Sequence, residues 1–274
     1  MVDTNDAGAL SGPVPDAAPR RSDPRIRKII LADVGDAFAG GLRDFQSAPV
    51  FGLFFGGVYA IGGMAIVLSA FYLGLGYLAY PLAAGFALVG PFAAAGIYEV
   101  SRRLESGDEL SWRSILSVVY AQRKTDLGWM AFVTVFMLVV WMYQVRLLLA
   151  LFLGFQSFTN MNEFLEVLVS TPEGLMFLVV GNVIGLMVSL VLYSLTVISF
   201  PLLLDRDVDF ITAMITSVRA VMSNPYPMLS WAAIVFIWLI IASLPFFLGH
   251  FMALPVLGHA TWHLYKKVVE PAEG

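Results

Sequence analysis

The chain has 274 residues, of which 59% are hydrophobic and 13% are charged, with a formal net charge of −4 and a mean hydropathy of +0.80. This composition excludes an ordinary water-soluble domain. The basic residues are scattered over separate segments, so they form no footprint for nucleic acid. The chain contains no cysteine, which excludes disulfides, thiolate metal sites and cysteine nucleophiles.

The first 28 residues are rich in Ala, Pro, Asp and Arg and lack the apolar core of a signal peptide. We therefore expect residues 1–28 to form a disordered cytoplasmic tail. Residues 29–268 are predicted to form a single transmembrane domain, followed by a short C-terminal tail over 269–274.

Six stretches are long and apolar enough to cross a hydrocarbon core of about 30 Å. They are apolar on all sides, which favours helices over the alternating strands of a membrane barrel. The last two are separated within one apolar stretch by Pro245, Gly249, Pro255 and Gly258. The predicted fold is therefore all-α, a polytopic transmembrane helical bundle whose six spans lie at about 49–72, 75–100, 128–152, 174–203, 228–247 and 248–265.

Each pair of predicted spans follows a shorter stretch of mixed polarity with helical spacing, at 29–45, 110–119 and 210–222. A proline enters the first and third hairpins after the motifs Ser47-Ala48-Pro49 and Ser223-Asn224-Pro225, and it disfavours α geometry in the residue before it. The pattern predicts three repeated units, each an interfacial amphipathic helix followed by a helical hairpin. Ordinary amphipathic linkers are the alternative.

The distribution of Lys and Arg predicts the orientation, because cytoplasmic loops near spans collect these residues. Six spans with a cytoplasmic start leave the predicted outer loop 153–173 without Lys or Arg. We therefore expect a multi-pass membrane protein with both termini in the cytoplasm. Of the sixteen basic residues, Arg146 alone is not predicted to lie inside.

Several conspicuous residues have a packing explanation. Gly52 and Gly56 stand four apart in the first span, and small residues at this spacing let helix backbones approach closely. Aromatic residues near the predicted span ends are interpreted as anchors in the headgroup layer, namely Trp129, Trp141, Trp231, Trp262 and Tyr265.

The three histidines lie in the last span, and His259 and His263 share one helix face. They are the candidates for a metal or haem site, although a closed zinc site needs about four ligands. The alternative places His263 at the cytoplasmic interface beside Lys266 and joins His259 to a neighbouring helix through a hydrogen bond. We expect no cofactor.

Polar residues inside predicted spans are candidates for an intramembrane site, because burying them is costly. They are Arg146 and Gln144 in the third span, Asn182 in the fourth and Glu99 at the end of the second. Arg146 is expected to reach the interface or an outer-loop glutamate. Asn182 suits an interhelical hydrogen bond, and Glu99 a local ion pair with Arg102 and Arg103.

Three stretches, 88–105 (LVGPFAAAGIYEVSRRLE), 200–221 (beginning FPLLLDRDVD) and 257–265 (LGHATWHLY), resemble the family of predicted bacterial integral membrane proteins called domain of unknown function 2189. The resemblance extends over roughly residues 30–268. It implies an inner-membrane protein with about six spans and brings no assigned activity.

No phosphate-binding loop, His-Glu-x-x-His motif or nucleophile elbow is present in the sequence. We therefore expect a non-enzymatic accessory or assembly component of a membrane complex. Its expected partners are the lipid bilayer and other membrane proteins or further copies of the chain. A transporter or channel for a small solute is the alternative, and metal or haem binding by the histidines is a more remote one.

Overall fold

A computed structural model describes residues 24–69, 79–122, 126–154 and 161–271, without the side chains of 79–91, 122 and 161–162. Most of the predicted N-terminal tail, residues 1–23, and the last three residues lie outside the described part. The described residues form eleven α-helices: α1 Leu31–Ser47, α2 Pro49–Val67, α3 Ala79–Ser106, α4 Trp112–Gln122, α5 Asp126–Leu153, α6 Met161–Ser170, α7 Pro172–Thr196, α8 Ser199–Asp205, α9 Phe210–Ser223, α10 Pro225–Ser243 and α11 His250–Val268.

Four stretches of helix are long and apolar enough to cross a membrane: α2, α5, the run of α7 and α8, and α10. They coincide with four of the six predicted spans. The other two predicted spans correspond to α3, whose first half has no described side chains, and to α11. The all-helical, membrane-spanning class is thus confirmed, while six spans arranged as three hairpins stay a prediction.

The three predicted amphipathic stretches are helical, as α1, α4 and α9. The two proline junctions also adopt almost the same backbone geometry, with φ −137° and ψ 53° at Ala48 and φ −130° and ψ 56° at Asn224. In both, the following proline occupies the start of the next helix, where its missing N–H costs no hydrogen bond. This shared corner supports the internal repeat.

The short helices pack in a consistent order. Each lies against the last long helix of the preceding unit: α4 contacts α3, α9 contacts α7 and α8, and α1 contacts α11. The contact of α1 with α11 therefore joins the first unit to the third. α1 is thus packed into the bundle, burying Val34, Ala37, Gly40 and Gly41.

α11 is the most enclosed of these helices. It contacts α1, α2, α3, α8 and α10, and glycines of α1 and α2 allow the close approach. A Cβ on Gly56 would lie 2.7 Å from the Phe251 carbonyl oxygen and 2.8 Å from Pro255 Cδ. The prediction that Gly52 and Gly56 serve helix packing is confirmed, since Gly52 likewise meets Pro255.

The predicted break in the last apolar stretch is present, because α10 ends at Ser243 and α11 begins at His250. Phe246 and Phe247 between them have φ of 50° and 65°, which is uncommon for residues other than glycine. The stretch 231–265 therefore folds as two packed helices rather than as one.

Both ends of the described chain lie together. Ile26 forms an antiparallel bridge with Val269, and the Arg27 N–H donates to the Val268 carbonyl oxygen at 2.7 Å. Asn224 holds this N-terminal segment, because its Oδ1 accepts from the Ile29 N–H at 2.9 Å and its Nδ2 donates to the Arg27 carbonyl at 3.0 Å. Residues 24–28, predicted to be part of the disordered tail, are ordered by these backbone contacts.

Candidate functional site

Polar side chains gather at the end of the bundle where α3, α8 and α11 end and α1 packs beside them. They form two groups, and the members of each group are joined by hydrogen bonds or ion pairs. The histidine chain consists of Asp44, Ser101, His259 and His263. The helix-end cluster consists of Glu105, Asp205, Arg206, Trp262, Tyr265 and Lys266.

In the histidine chain, one carboxylate oxygen of Asp44 serves two partners. Asp44 Oδ2 lies 2.7 Å from the Ser101 hydroxyl and 2.8 Å from His263 Nε2. The Ser101 hydroxyl is also 2.7 Å from His259 Nδ1. Ser101 and His259 are fully buried, whereas the His263 side chain is 29% exposed. The chain thus runs from the protein surface to a buried imidazole.

The direction of these hydrogen bonds follows from their chemistry. An ionised carboxylate only accepts, so the Ser101 hydroxyl donates to Asp44 and its oxygen accepts from His259 Nδ1–H. The neutral His259 ring therefore carries its proton on Nδ1 and leaves a lone pair on Nε2. This Nε2 is buried and has no hydrogen-bond partner among the described residues.

The two hydrogen bonds also affect the charge of Asp44. Burial raises the pKa of this carboxyl, but hydrogen bonds from His263 and Ser101 outweigh that effect and hold the pKa below its usual value. Asp44 is therefore ionised at neutral pH. It is the group that orients both neighbouring side chains.

A cavity of about 370 Å³ opens beside His263, between α1 and α11, and it is lined by Asp36, Ala39, Arg43, His263, Lys266 and Lys267. Two of its cations, Lys266 and Lys267, are paired with carboxylates. Lys267 Nζ lies 3.0 Å from Asp33 and 3.1 Å from Asp36, and the hydrogen bond to Asp33 raises the pKa of Lys267. The wall of the cavity is thus of mixed charge.

The helix-end cluster joins the last turns of α3, α8 and α11. Trp262 Nε1 donates to Glu105 at 3.1 Å, and the Tyr265 hydroxyl donates to Asp205 at 2.6 Å. Lys266 Nζ lies 3.6 Å from Glu105 and 3.9 Å from Asp205. Each of the two carboxylates therefore belongs to a different helix and is tied to α11 twice.

Glu99 is fully buried and pairs with both neighbouring arginines of α3. Its carboxylate accepts from Arg102 at 2.8 Å and from Arg103 at 2.6 Å. The local ion pair predicted for Glu99 is confirmed. Because both positive charges come from the same helix, this arrangement neutralises Glu99 without linking it to another span.

The other polar candidates do not meet at a common site. Arg146 lies exposed on α5 and Asn182 lies exposed on α7, while Gln144 is half-buried on α5. The Asn182 amide donates to the Leu178 carbonyl of its own helix at 2.7 Å, so no interhelical bond forms among the described residues. The cavity of about 250 Å³ between α5 and α7 is lined by Thr134, Met137, Leu138, Trp141, Val188, Ser189 and Leu192, and by none of the three candidates.

The histidine pair is occupied by hydrogen bonds rather than pointed at one metal position. His259 Nδ1 faces Ser101 and His263 Nε2 faces Asp44. Within the described part of the chain, no group of three or more His, Asp or Glu residues is placed to hold a metal ion. The alternative in which His259 is hydrogen-bonded to a neighbouring helix is the one the structure shows.

Three of the predicted headgroup anchors lie in the core. Trp231, Trp262 and Tyr265 are among the largest fully buried side chains, whereas Trp129 is 58% exposed. The interpretation of these three as anchors was wrong, because α10 packs against α1, α9 and α11, and α11 packs against α1, α2, α3, α8 and α10. The sequence reasoning also missed Asp44 and Ser101, whose only signal was their position beside the predicted spans.

A scan of protein families matches residues 79–205 to the family described as predicted integral membrane protein (DUF2189). The match contains the stretch 88–105 and the start of the stretch 200–221, and it ends before 257–265. No curated protein and no solved structure matches the chain. The protein is thus an integral membrane protein whose residues 79–205 are similar to the domain of unknown function 2189 family.

Proposed function

We propose that this chain is a non-enzymatic accessory or assembly component of the bacterial inner membrane, crossing it six times with both termini in the cytoplasm. The observation that carries the proposal is the exposure of the two long helices α5 and α7. In the most apolar 18-residue window, 6% of the α5 residues and none of those in the run of α7 and α8 are buried.

The share of buried residues is higher in the other two candidate spans, at 28% for α2 and 22% for α10. The bundle is held together around α11. α5 and α7 contact each other and form an arm, which the rest of the bundle contacts mainly through α3 on α5 and α9 on α7. Apolar surface of this extent is what a helix presents to lipid or to another membrane protein. In an assembly role, the exposed apolar faces of α5 and α7 contact another membrane protein.

The polar groups fit a supporting role in this proposal. The helix-end cluster ties α3, α8 and α11 together, and the N-terminal segment closes the bundle against the C terminus. These contacts supply a rigid base on the proposed cytoplasmic side, from which the arm of α5 and α7 extends. Charge distribution supports that side, because cytoplasmic segments collect Lys and Arg.

A photo-crosslinking experiment in native membranes tests the proposal. A benzoyl-phenylalanine replaces Phe136 of α5, which is 55% exposed, and Phe236 of α10, which is 65% exposed, serves as the matched control. We expect crosslinks to a polypeptide from position 136, identified by mass spectrometry, and lipid adducts only from position 236. Lipid adducts alone at both positions, with no protein co-purifying in mild detergent, would contradict the proposal.

Transport of a small solute is the alternative function from the sequence. Two of the side chains that motivated it, Arg146 and Asn182, lie on exposed faces of α5 and α7 rather than around one cavity.

A further inference from the structure

We infer that the exposed face of α7 is a dimer interface with a second copy of this chain, centred on Asn182. The inference rests on the proposed function, because it names the partner of the arm formed by α5 and α7. Its starting point is a polar side chain in an environment where polar groups are costly.

Asn182 lies ten residues into α7, about 15 Å along the helix axis from Pro172. This is about half of a hydrocarbon core of roughly 30 Å. The Asn182 side chain is exposed, and no residue of the described chain covers it. An amide at this depth faces hydrocarbon unless another helix lies over it, and lipid tails offer it no hydrogen bond.

Asn182 uses only one of its two amide N–H donors within its own helix. One Nδ2 hydrogen goes to the Leu178 carbonyl at 2.7 Å. The second Nδ2 hydrogen and the Oδ1 acceptor have no partner within the described residues, and a carboxamide can use both. One donor and one acceptor on the same group are self-complementary. Two copies related by a two-fold axis can satisfy each other, each Asn182 donating to the other's Oδ1.

The surroundings of Asn182 have the spacing of a helix-pairing seam. Exposed residues recur at intervals of four and three along one stripe of α7, which we call the Asn182 seam: Leu175, Val179, Asn182 and Leu186. Alternating steps of three and four define the contact line of two helices packed in register. A single central Asn in such a line is known to select register and partner number. The Asn182 seam is therefore suited to pair with the same seam of a second copy.

One flank of α7, beside the Asn182 seam, is already occupied. A Cβ on Gly185 would lie 2.9 Å from the Trp141 ring of α5. Gly185 lies beside the seam on the helix surface, so α5 covers one flank of α7 and leaves the seam open. A second copy can therefore approach α7 without displacing α5.

Engineered cysteines test the interface directly, because the natural chain contains none. Single cysteines replace Val179 or Leu186 in the Asn182 seam, and Met176 or Met187 on the flank of α7 that faces away from α5. Each variant is the purified full chain reconstituted into liposomes. All four positions are between 52% and 62% exposed. After mild oxidation we expect a dimer of twice 30.0 kDa from the two seam positions and monomer from the two flank positions.

A second measurement removes the amide. Asn182→Leu should weaken dimerisation in liposomes about tenfold, measured by subunit-counting fluorescence, because two reciprocal interhelical hydrogen bonds are lost. Gln144→Leu, which removes an amide from α5, should leave the dimer unchanged. Equal crosslinking at seam and flank positions, or a monomer at all protein densities, overturns the inference.

The two proposals fail separately. A purified chain that stays monomeric in liposomes, but that crosslinks to a different protein from position 136 in native membranes, overturns the dimer and retains the assembly role. Lipid adducts alone in native membranes, together with a monomer in liposomes, overturn both.

Discussion

Asp44 and His263, 219 residues apart in the sequence, are joined by a hydrogen bond of 2.8 Å between Oδ2 and Nε2. The same Asp44 oxygen accepts from Ser101 of α3. One carboxylate therefore connects α1 to both α11 and α3. Since α1 packs along α11, this hydrogen bond reinforces the contact between the first and the last of the described helices.

Loss of the Asp44 carboxylate is expected to destabilise the bundle. Asp44→Ala leaves the buried Ser101 hydroxyl without its acceptor and should cost about 1–3 kcal/mol. Asp44→Asn retains one acceptor oxygen without the charge and should cost less. Thermal unfolding in mild detergent measures both, and Asp36→Asn is the control, because the Asp36 side chain is 70% exposed. An Asp44→Ala melting temperature equal to that of Asp36→Asn would contradict the role given to Asp44.

The contribution of Asp44 should depend on pH in a defined direction. Its pKa is lower in the folded chain than its ordinary value of 3.8. The stabilisation is therefore complete above about pH 4 and is lost as the pH falls through the folded value. The difference in stability between the natural chain and Asp44→Asn should shrink as the pH falls below about 4, where the Asp44 carboxylate becomes protonated. A difference that grows as the pH falls below about 4 would have the wrong sign.

Two glycines of α1 offer a matched pair of alanine substitutions. A Cβ on Gly41 would meet the Ala260 backbone nitrogen and lie 2.6 Å from the Val256 carbonyl oxygen, whereas a Cβ on Gly35 meets nothing within 4 Å. Gly41→Ala should destabilise by about 1–3 kcal/mol through overpacking against backbone. Gly35→Ala should be neutral or stabilising by up to about 1 kcal/mol, from helix propensity alone. Equal melting temperatures for the two variants would show that α1 does not pack on α11 in this way.

Asn224 should control the order of the N-terminal segment. Asn224→Ala removes the hydrogen bonds to the Ile29 N–H and the Arg27 carbonyl. We expect faster hydrogen exchange over residues 25–30 and a loss of about 1–3 kcal/mol for two partly buried bonds. Ser223→Ala is the control, because Lys28 bonds only to the backbone carbonyl of Ser223. Unchanged protection in Asn224→Ala would mean that the bridge between Ile26 and Val269 suffices without it.

The proposed topology can be tested by labelling single cysteines in the cysteine-free chain. Ser170 at the end of α6 and Ser106 at the end of α3 are both exposed. In intact cells, a membrane-impermeant maleimide should label a cysteine at position 170 and should reach position 106 only after permeabilisation. Labelling of both in intact cells contradicts the predicted orientation, because the single span α5 separates the two positions and should place them on opposite sides of the membrane.

The sequence by itself determined that this protein lies in a membrane, and it determined where most of its helices are. Runs of about 20 apolar residues have no stable alternative to a helix in a bilayer, because every backbone polar group must be satisfied internally. The proline junctions at Pro49 and Pro225 and the short helices before them are likewise local properties, since proline restricts its own φ and the residue before it. The buried Glu99 was also predictable, because its partners lie three and four residues away in the same helix.

Only the tertiary structure decided which helices are enclosed and which polar residues meet. His259 and Asp44 are 215 positions apart, and nothing local in either segment indicates that Ser101 lies between them. The same holds for Trp262 and Tyr265, which have the composition of interfacial anchors and yet lie in the core. A more enclosed span and a more exposed span can be equally apolar, since α2 and α5 have the same mean hydropathy of 2.0 although 28% of α2 and 6% of α5 is buried. That difference arises from tertiary packing, because α2 lies against α11 and α3, whereas α5 lies against α3 and α7.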